Sequence, residues 1–129
     1  MAKTEISTLG EFGLIKHLTK DFPTYQPSTQ KAIGDDAAVL NHKDKRTLVT
    51  TDLLLEGIHF NLEYAPLKHL GYKAAVVNFS DIYAMNATPT QITVSLGISK
   101  RFAVEDLEEL YAGIRLACEK YNVDLVGGD

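Results

Sequence analysis

Gln91-Ile92-Thr93-Val94-Ser95-Leu96-Gly97-Ile98 decides the fold class of this chain. Ile92, Val94, Leu96 and Ile98 alternate with Gln91, Thr93, Ser95 and Gly97. A period of two puts the first set on one face of a strand and the second on the other, so the segment reads as a half-buried strand. Just beyond it, residues 103–121 read as a long helix. Glu105 and Asp106 place negative charge in its first turn, where the helix dipole favours it. Val104, Leu107, Leu110, Ile114, Ala117 and Tyr121 form its apolar stripe. Residues 123–126 make a last short strand before Gly127-Gly128-Asp129. On the other side, Pro66 suits a first helical position. From there to about Asn86 the pattern is helical, with no internal proline.

Further upstream, residues 37–40 and the β-branched run 47–52 predict a hairpin, joined by the polar residues 41–46. Residues 53–60 are apolar but broken at Gly57, which suits a strand or a bulge. Thr8-Leu9-Gly10-Glu11 has the spacing of a capping box, and Phe12, Ile15 and Leu18 carry a helix to about Lys20. Residues 21–32 hold Pro23, Pro27 and several Ser, Thr and Gln residues, and read as a long surface loop. The expected order is helix, hairpin, helix, strand, helix, strand. That order describes an α+β fold, a mixed β-sheet with helices on one face.

The 129 residues are enough for one domain, 1–129, with a real core. With 13 Lys and Arg against 17 Asp and Glu the net charge is −4, which disfavours a nucleic-acid partner. No apolar run approaches the ~18 residues of a membrane span, and the N-terminal residues lack an apolar leader. The lone Cys118 excludes an intramolecular disulfide and a multi-cysteine metal site. A mildly acidic cytoplasmic domain, with no membrane or nucleic-acid partner, is expected.

Several familiar chemistries are absent. There is no G-x-x-x-x-G-K-[ST] loop and no G-x-G-x-x-G fingerprint. His17, His42, His59 and His69 do not form a zinc-binding H-E-x-x-H, and there is no G-x-S-x-G elbow. What remains is a set of carboxylates at element ends: Asp36 before a strand, Asp52 at the end of the next, and Asp129 after the last, with Asp81 inside a helix. Carboxylates drawn from several segments suit hard, oxygen-loving cations, Mg²⁺ above all, and such ions chiefly hold nucleotide phosphates.

Each segment also has a plain structural reading. Gly34-Asp35-Asp36 and Gly127-Gly128-Asp129 are common turn compositions. Thr50-Thr51-Asp52 can be a strand end with an Asp cap. Asn78 and Asp81 lie three apart on one helix face, among residues that should be buried. Asp81 therefore either caps another segment's amides or meets a cation. His59 can be a packed or surface histidine, Tyr111 a core-edge residue, and Cys118 a small buried hydrophobe.

Five ordered segments carry a resemblance. Gly10-Glu11-Phe12-Gly13-Leu14-Ile15, Ile33-Gly34-Asp35-Asp36-Ala37-Ala38-Val39, Thr50-Thr51-Asp52-Leu53-Leu54-Leu55-Glu56-Gly57-Ile58-His59-Phe60, Asn78-Phe79-Ser80-Asp81-Ile82-Tyr83-Ala84-Met85-Asn86-Ala87-Thr88-Pro89 and Val126-Gly127-Gly128-Asp129 together resemble the N-terminal domain of the thiamine-monophosphate kinase family. The wider superfamily includes aminoimidazole ribonucleotide synthetase, selenophosphate synthetase and a hydrogenase-maturation protein, all similar ATP-using enzymes. The Glu56-Gly57-Ile58-His59-Phe60 stretch is similar to the thiamine branch. Tyr83 and Asn86 stand where that family more usually has Ala and Gly. Its members also continue past Gly-Gly-Asp into a second α/β domain, so the chain is expected to be an N-terminal piece.

The resemblance implies Mg²⁺- and ATP-dependent phosphorylation of thiamine monophosphate to thiamine diphosphate, by a piece expected to be inactive alone. It implies Asp36, Thr50, Thr51, Asp52, Asp81 and Asp129 as ligands of several Mg²⁺ ions, with Asp36 favoured over Asp35. His59 would touch thiamine monophosphate. Tyr111, Gly128 and Asp129 would contact ATP. No catalytic side chain is implied, because the acceptor is already an anionic phosphate. The family fold also implies a homodimer, its sheets joined into a barrel. Two other readings stay open: a dimerisation and nucleotide-binding module without activity of its own, and another ATP-using enzyme of the superfamily.

Overall fold

The computed structural model describes residues 6–129. Residues 1–5, read above for the lack of an apolar leader, lie outside them. The described chain divides into two compact units, one ending at Val49 and one spanning Thr50–Asp129. Where length alone suggested one domain, buried apolar residues concentrate in the second unit. Ala37 is the sole buried hydrophobic described in the first.

In the first unit, a 3₁₀ turn (Ile6–Thr8) leads into α1 (Gly10–Thr19). The expected helix is present, but its cap is not. The N-cap is Leu9, which offers no side-chain acceptor, because Thr8 is taken up by the 3₁₀ turn. Strands β1 (Thr29–Lys31), β2 (Ala38–His42) and β3 (Lys45–Val49) form an antiparallel sheet in that order. The hairpin is tighter than its polar residues suggested. Pairing runs from Ala38↔Val49 to His42↔Lys45, so only Lys43 and Asp44 turn the chain, with Lys43 at φ 62°. Asn41, His42, Lys45 and Arg46 are strand residues because an exposed ladder tolerates polar side chains on both faces. The loop 21–32 is likewise shortened by β1, which pairs with β2 despite its Thr-Gln-Lys composition.

In the second unit, α2 (Leu67–Ala84), β4 (Gln91–Val94), α3 (Val104–Tyr121) and β5 (Asp124–Gly128) follow one another. Pro66 is the N-cap of α2, one position before the expected place. The helix stops where Asn86 enters the left-handed region at φ 56°. α3 opens with the Asp106 carboxylate accepting from the Ala103 N–H at 2.8 Å. It closes at Asn122, φ 57°, with Val123 N–H donating to the Cys118 carbonyl. β4 and β5 pair in parallel, so α3 is their crossover. The strands thus form two small sheets, one antiparallel and one parallel, in place of a single mixed sheet. Residues 50–66 between them contain only an isolated bridge, Glu56↔Phe60.

The core of this unit is Leu70, Ala75, Phe79, Leu110, Ile114, Ala117, Cys118 and Val123, with Ile92, Val94 and Leu96 packed against it. The alternation of residues 91–96 therefore holds. Ile98 falls outside it and is exposed. Gly71–Gly113 and Phe79–Tyr121 each couple residues 42 apart (113 − 71 and 121 − 79), so α2 and α3 run in the same direction. At their crossing both helices present glycine. A Cβ on Gly71 would lie 1.9 Å from the Leu110 carbonyl oxygen, and one on Gly113 1.8 Å from that of Lys68.

Alanine gains about 1 kcal/mol over glycine in a helix. Backbone atoms cannot swing aside, and overpacking costs about 1–3 kcal/mol or more. The clash therefore wins. Gly71→Ala and Gly113→Ala are each expected to lower the melting temperature, by roughly 4–8 °C per kcal/mol of net loss. Gly97→Ala, which meets nothing within 4 Å, should leave it nearly unchanged. Thermal melts followed by circular dichroism check all three.

Candidate functional site

In the first unit, Asp36 sits in the turn before β2 and is exposed. Its neighbour Asp35 is engaged locally. One oxygen pairs with Lys31 Nζ, and the other accepts the Asp36 N–H at 3.0 Å. The Lys31 hydrogen bond, then that of the Asp36 amide and then the lysine charge, hold the Asp35 carboxyl below the usual carboxylate value.

In the second unit, Thr50 is half-buried, and Thr51 and Asp52 are exposed on the extended segment that leads to residues 53–60. Those residues form a tight loop, neither strand nor bulge. Gly57, at φ 81°, donates to the Phe60 carbonyl at 2.7 Å, and Ile58 and His59 N–H both donate to the Leu55 carbonyl. Leu54 and Phe60 pack on the core and fix the two ends. His59 is exposed. Its Nδ1 accepts the Leu55 N–H at 2.9 Å, and its carbonyl accepts from Lys73 Nζ on α2 at 2.5 Å. Glu56 Oε2 pairs with Arg101 Nη2, also at 2.5 Å.

Asp81 lies half-buried near the end of α2. Asn78, one turn earlier, donates its amide to the Ala74 carbonyl at 2.9 Å, which commits it to its own helix. Asn86 occupies the left-handed position that follows. A glycine takes that conformation without strain and asparagine takes it at small cost, which gives a backbone reason for the exchange. Tyr83 is partly exposed, its ring centroid 6.2 Å from that of Tyr121.

At the end of β5, Asp129 is woven into the neighbouring strand. Its N–H donates to the Val94 carbonyl at 3.0 Å, and its own carbonyl accepts the Leu96 N–H at 2.7 Å. Gly128 has φ 152°, and a Cβ there would stand 1.8 Å from the Val94 carbonyl oxygen. Glycine is thus required by the strand pairing, whatever else approaches it. Tyr111 lines an open groove of about 720 Å³ between α3 and β5, together with Glu108, Arg115, Asp124 and Leu125. Cys118 borders that groove. Burial, and then the Asp124 charge, push its thiol up, as expected of an inert packing residue.

Asp52, Asp81 and Asp129 all belong to the second unit, yet they do not draw together. Among the described residues no three His, Cys, Asp or Glu side chains form a group that could hold a metal ion. The ties of Lys73 and Arg101 to the His59 loop were not legible in the sequence. They join residues 14 and 45 positions apart, and no local pattern reports such a separation.

Residues 34–129 match the family described as AIR synthase related protein, N-terminal domain. The chain belongs to that family. Among its relatives, the thiamine-monophosphate kinase of Aquifex aeolicus is 39% identical over 124 residues, covering 96% of this chain and 38% of that protein. The thiamine-monophosphate kinase of Bacillus subtilis is 35% identical over 122 residues, covering 94% and 37%. A solved structure described as AaThiL complexed with AMPPCP and TMP superposes with a TM-score of 0.87 at 37% identity, over 99% of this chain and 39% of that one. The thiamine-monophosphate kinase of Stenotrophomonas maltophilia K279a gives 0.60 at 31% identity, over 90% and 35%. The chain therefore spans less than two-fifths of the length of these relatives. No helix among the described residues is long and apolar enough to cross a membrane.

The lowered Asp35 carboxyl gives a pH prediction. A depressed folded-state value means a contribution to stability that is present above the unfolded-state value and lost as pH falls through the folded one. The pair is exposed, so that contribution is small. Lys31→Met should move the Asp35 titration up toward 3.8, read from its carboxyl carbon by NMR.

Proposed function

We propose that this chain is the ATP- and Mg²⁺-binding N-terminal part of a kinase that phosphorylates thiamine monophosphate to thiamine diphosphate. The observation that carries this reading is the agreement of fold over 99% of the chain with a structure described as holding AMPPCP, an ATP analogue, and TMP. The thiamine-monophosphate kinase names of the curated relatives support it.

The donor set suits the metal. Asp36, Thr50, Thr51, Asp52, Asp81 and Asp129 offer only oxygen, the ligand type of a hard cation. Mg²⁺ is usually held by one or two carboxylates together with substrate phosphates and water, rather than by a closed protein cage. The lack of a three-carboxylate cluster in the described residues is compatible with that habit. When bound, the metal supplies charge neutralisation between two polyanions.

The chain's own residues supply position. The ladder from Val94 to Leu96 sets the backbone at Asp129, and with it the start of its side chain. Gly128, exposed and held against β4, would meet ATP through its main chain. Tyr111 offers a ring edge in the groove beside β5 for the nucleotide. His59, exposed on its loop, offers the imidazole to thiamine monophosphate. The acceptor oxygen is already anionic, so no side chain has to remove a proton.

Turnover decides the reading. The longer protein that carries this chain at its N-terminus should form thiamine diphosphate from thiamine monophosphate and ATP, and only with Mg²⁺. Residues 1–129 alone should show little or no activity, because the remaining groups that align the two phosphates are missing. In the longer protein, Asp81→Asn should cut turnover by roughly tenfold or more, about 1.4 kcal/mol or more of transition-state stabilisation. It should also reduce the Mg²⁺-dependent rise in melting temperature. Formation of thiamine diphosphate without Mg²⁺, or an unchanged Asp81→Asn enzyme, overturns the assignment.

The chain is also proposed to be a homodimer. Ile98, Leu125 and Val126, on and beside the two-stranded sheet, are 56%, 46% and 59% exposed, apolar surface that a second copy would cover. Light scattering should give twice the chain mass at micromolar concentration. A monomer mass contradicts the proposal.

A further inference from the structure

The loop of residues 53–60 belongs to no helix or named strand, and its turn is closed by its own backbone, Gly57 N–H donating to the Phe60 carbonyl and Ile58 and His59 N–H to that of Leu55. Leu54 and Phe60 anchor its ends in the core, while Ile58 at its tip is 74% exposed. Charged side chains from elsewhere add ties to this turn. Arg101, just before α3, reaches back 45 residues to Glu56, and its guanidinium also lies over the Phe102 ring, 5.2 Å from the centroid. Lys73 on α2 reaches the His59 carbonyl. Within the loop, the Leu55 N–H donates to His59 Nδ1. A ring nitrogen that accepts a hydrogen bond carries no proton, so a neutral imidazole must keep its proton on Nε2. An exposed ion pair adds little to stability. The consequence of these ties is therefore the geometry of the loop rather than the strength of the fold.

We propose that Arg101 and Lys73 are positioning residues for His59. They lock the loop from two separate elements so that the imidazole holds Nδ1 as an acceptor and presents Nε2–H outward as a fixed donor. The partner of that donor is a hydrogen-bond acceptor atom on the bound substrate. This rests on the reading of His59 as the thiamine monophosphate contact, and it adds two residues that lie outside every motif quoted above, together with a definite ring tautomer.

The test has two arms. In the first, the chain is labelled with ¹⁵N-histidine and the His59 ring nitrogens are observed by NMR. The parent should show Nε2 protonated and Nδ1 bare. Arg101→Ala and Lys73→Met should each bring the two nitrogens toward an averaged signal, with His17, His42 and His69 unmoved. Exchanging the charges, Glu56→Arg with Arg101→Glu, should restore the parent signal. Arg101→Lys and Glu56→Gln replace any truncation that circular dichroism shows to be unfolded, and Glu56→Gln should loosen the ring as Arg101→Ala does. A His59 spectrum unchanged in both single variants, or not restored by the exchange, overturns the proposal.

The second arm uses the longer, active protein. Arg101→Ala should raise the KM for thiamine monophosphate by about tenfold with kcat within about twofold, the signature of lost binding rather than lost chemistry. If His59→Ala raises KM and Arg101→Ala does not, positioning is refuted. If His59→Ala itself leaves KM unchanged, the substrate-contact reading fails, and the NMR arm still decides whether Arg101 and Lys73 set the ring.

Discussion

The contact at Gly71 and Gly113 is the constraint on which the second unit depends. Two helices that run in the same direction touch through their backbones, because at this point neither carries a side chain. That close approach lets Leu70, Ala75 and Phe79 meet Leu110, Ile114 and Ala117 as one core layer. A single methyl group on either glycine would hold the helices apart and open that layer. The strands of this unit pack against the same core.

The parallel pairing of β4 and β5 follows from the same arrangement. A strand that returns in parallel needs a crossover, and α3 supplies it. The crossing with α2 fixes where α3 lies, and so where β5 meets β4. Gly128 is the tightest point of that meeting. Its conformation and its closeness to the Val94 carbonyl both exclude a side chain.

The His59 loop is built differently. Its ends rely on apolar burial, and its middle on backbone hydrogen bonds within the turn and on charged ties from Arg101 and Lys73. Apolar anchors define a position without specifying an orientation, whereas hydrogen bonds and ion pairs specify direction. Polar ties are therefore the natural means of aiming a ring at a ligand from a segment without secondary structure. Across the proposed site, oxygen donors predominate, as expected where the task is to bring two phosphates together rather than to move a proton.

The sequence by itself determined the long-period features. The helix over α3 was legible from its acidic first turn and apolar stripe, the strand at 91–96 from its alternation, and α2 from an unbroken helical pattern behind Pro66. Each is a local periodicity that the chain must satisfy wherever it is placed. The ordered motifs also placed the chain in its family. What the sequence did not show depends on distant partners. β1 is a strand because β2 lies beside it, and its Thr-Gln-Lys composition gives no sign of that. The capping spacing at Thr8 was overridden when a 3₁₀ turn consumed that residue. The division into two sheets, the glycine crossing and the Arg101–Glu56 tie were settled only by tertiary structure. A contact between residues 42 or 45 positions apart is a property of the packed chain, and no stretch of sequence shorter than that separation contains it.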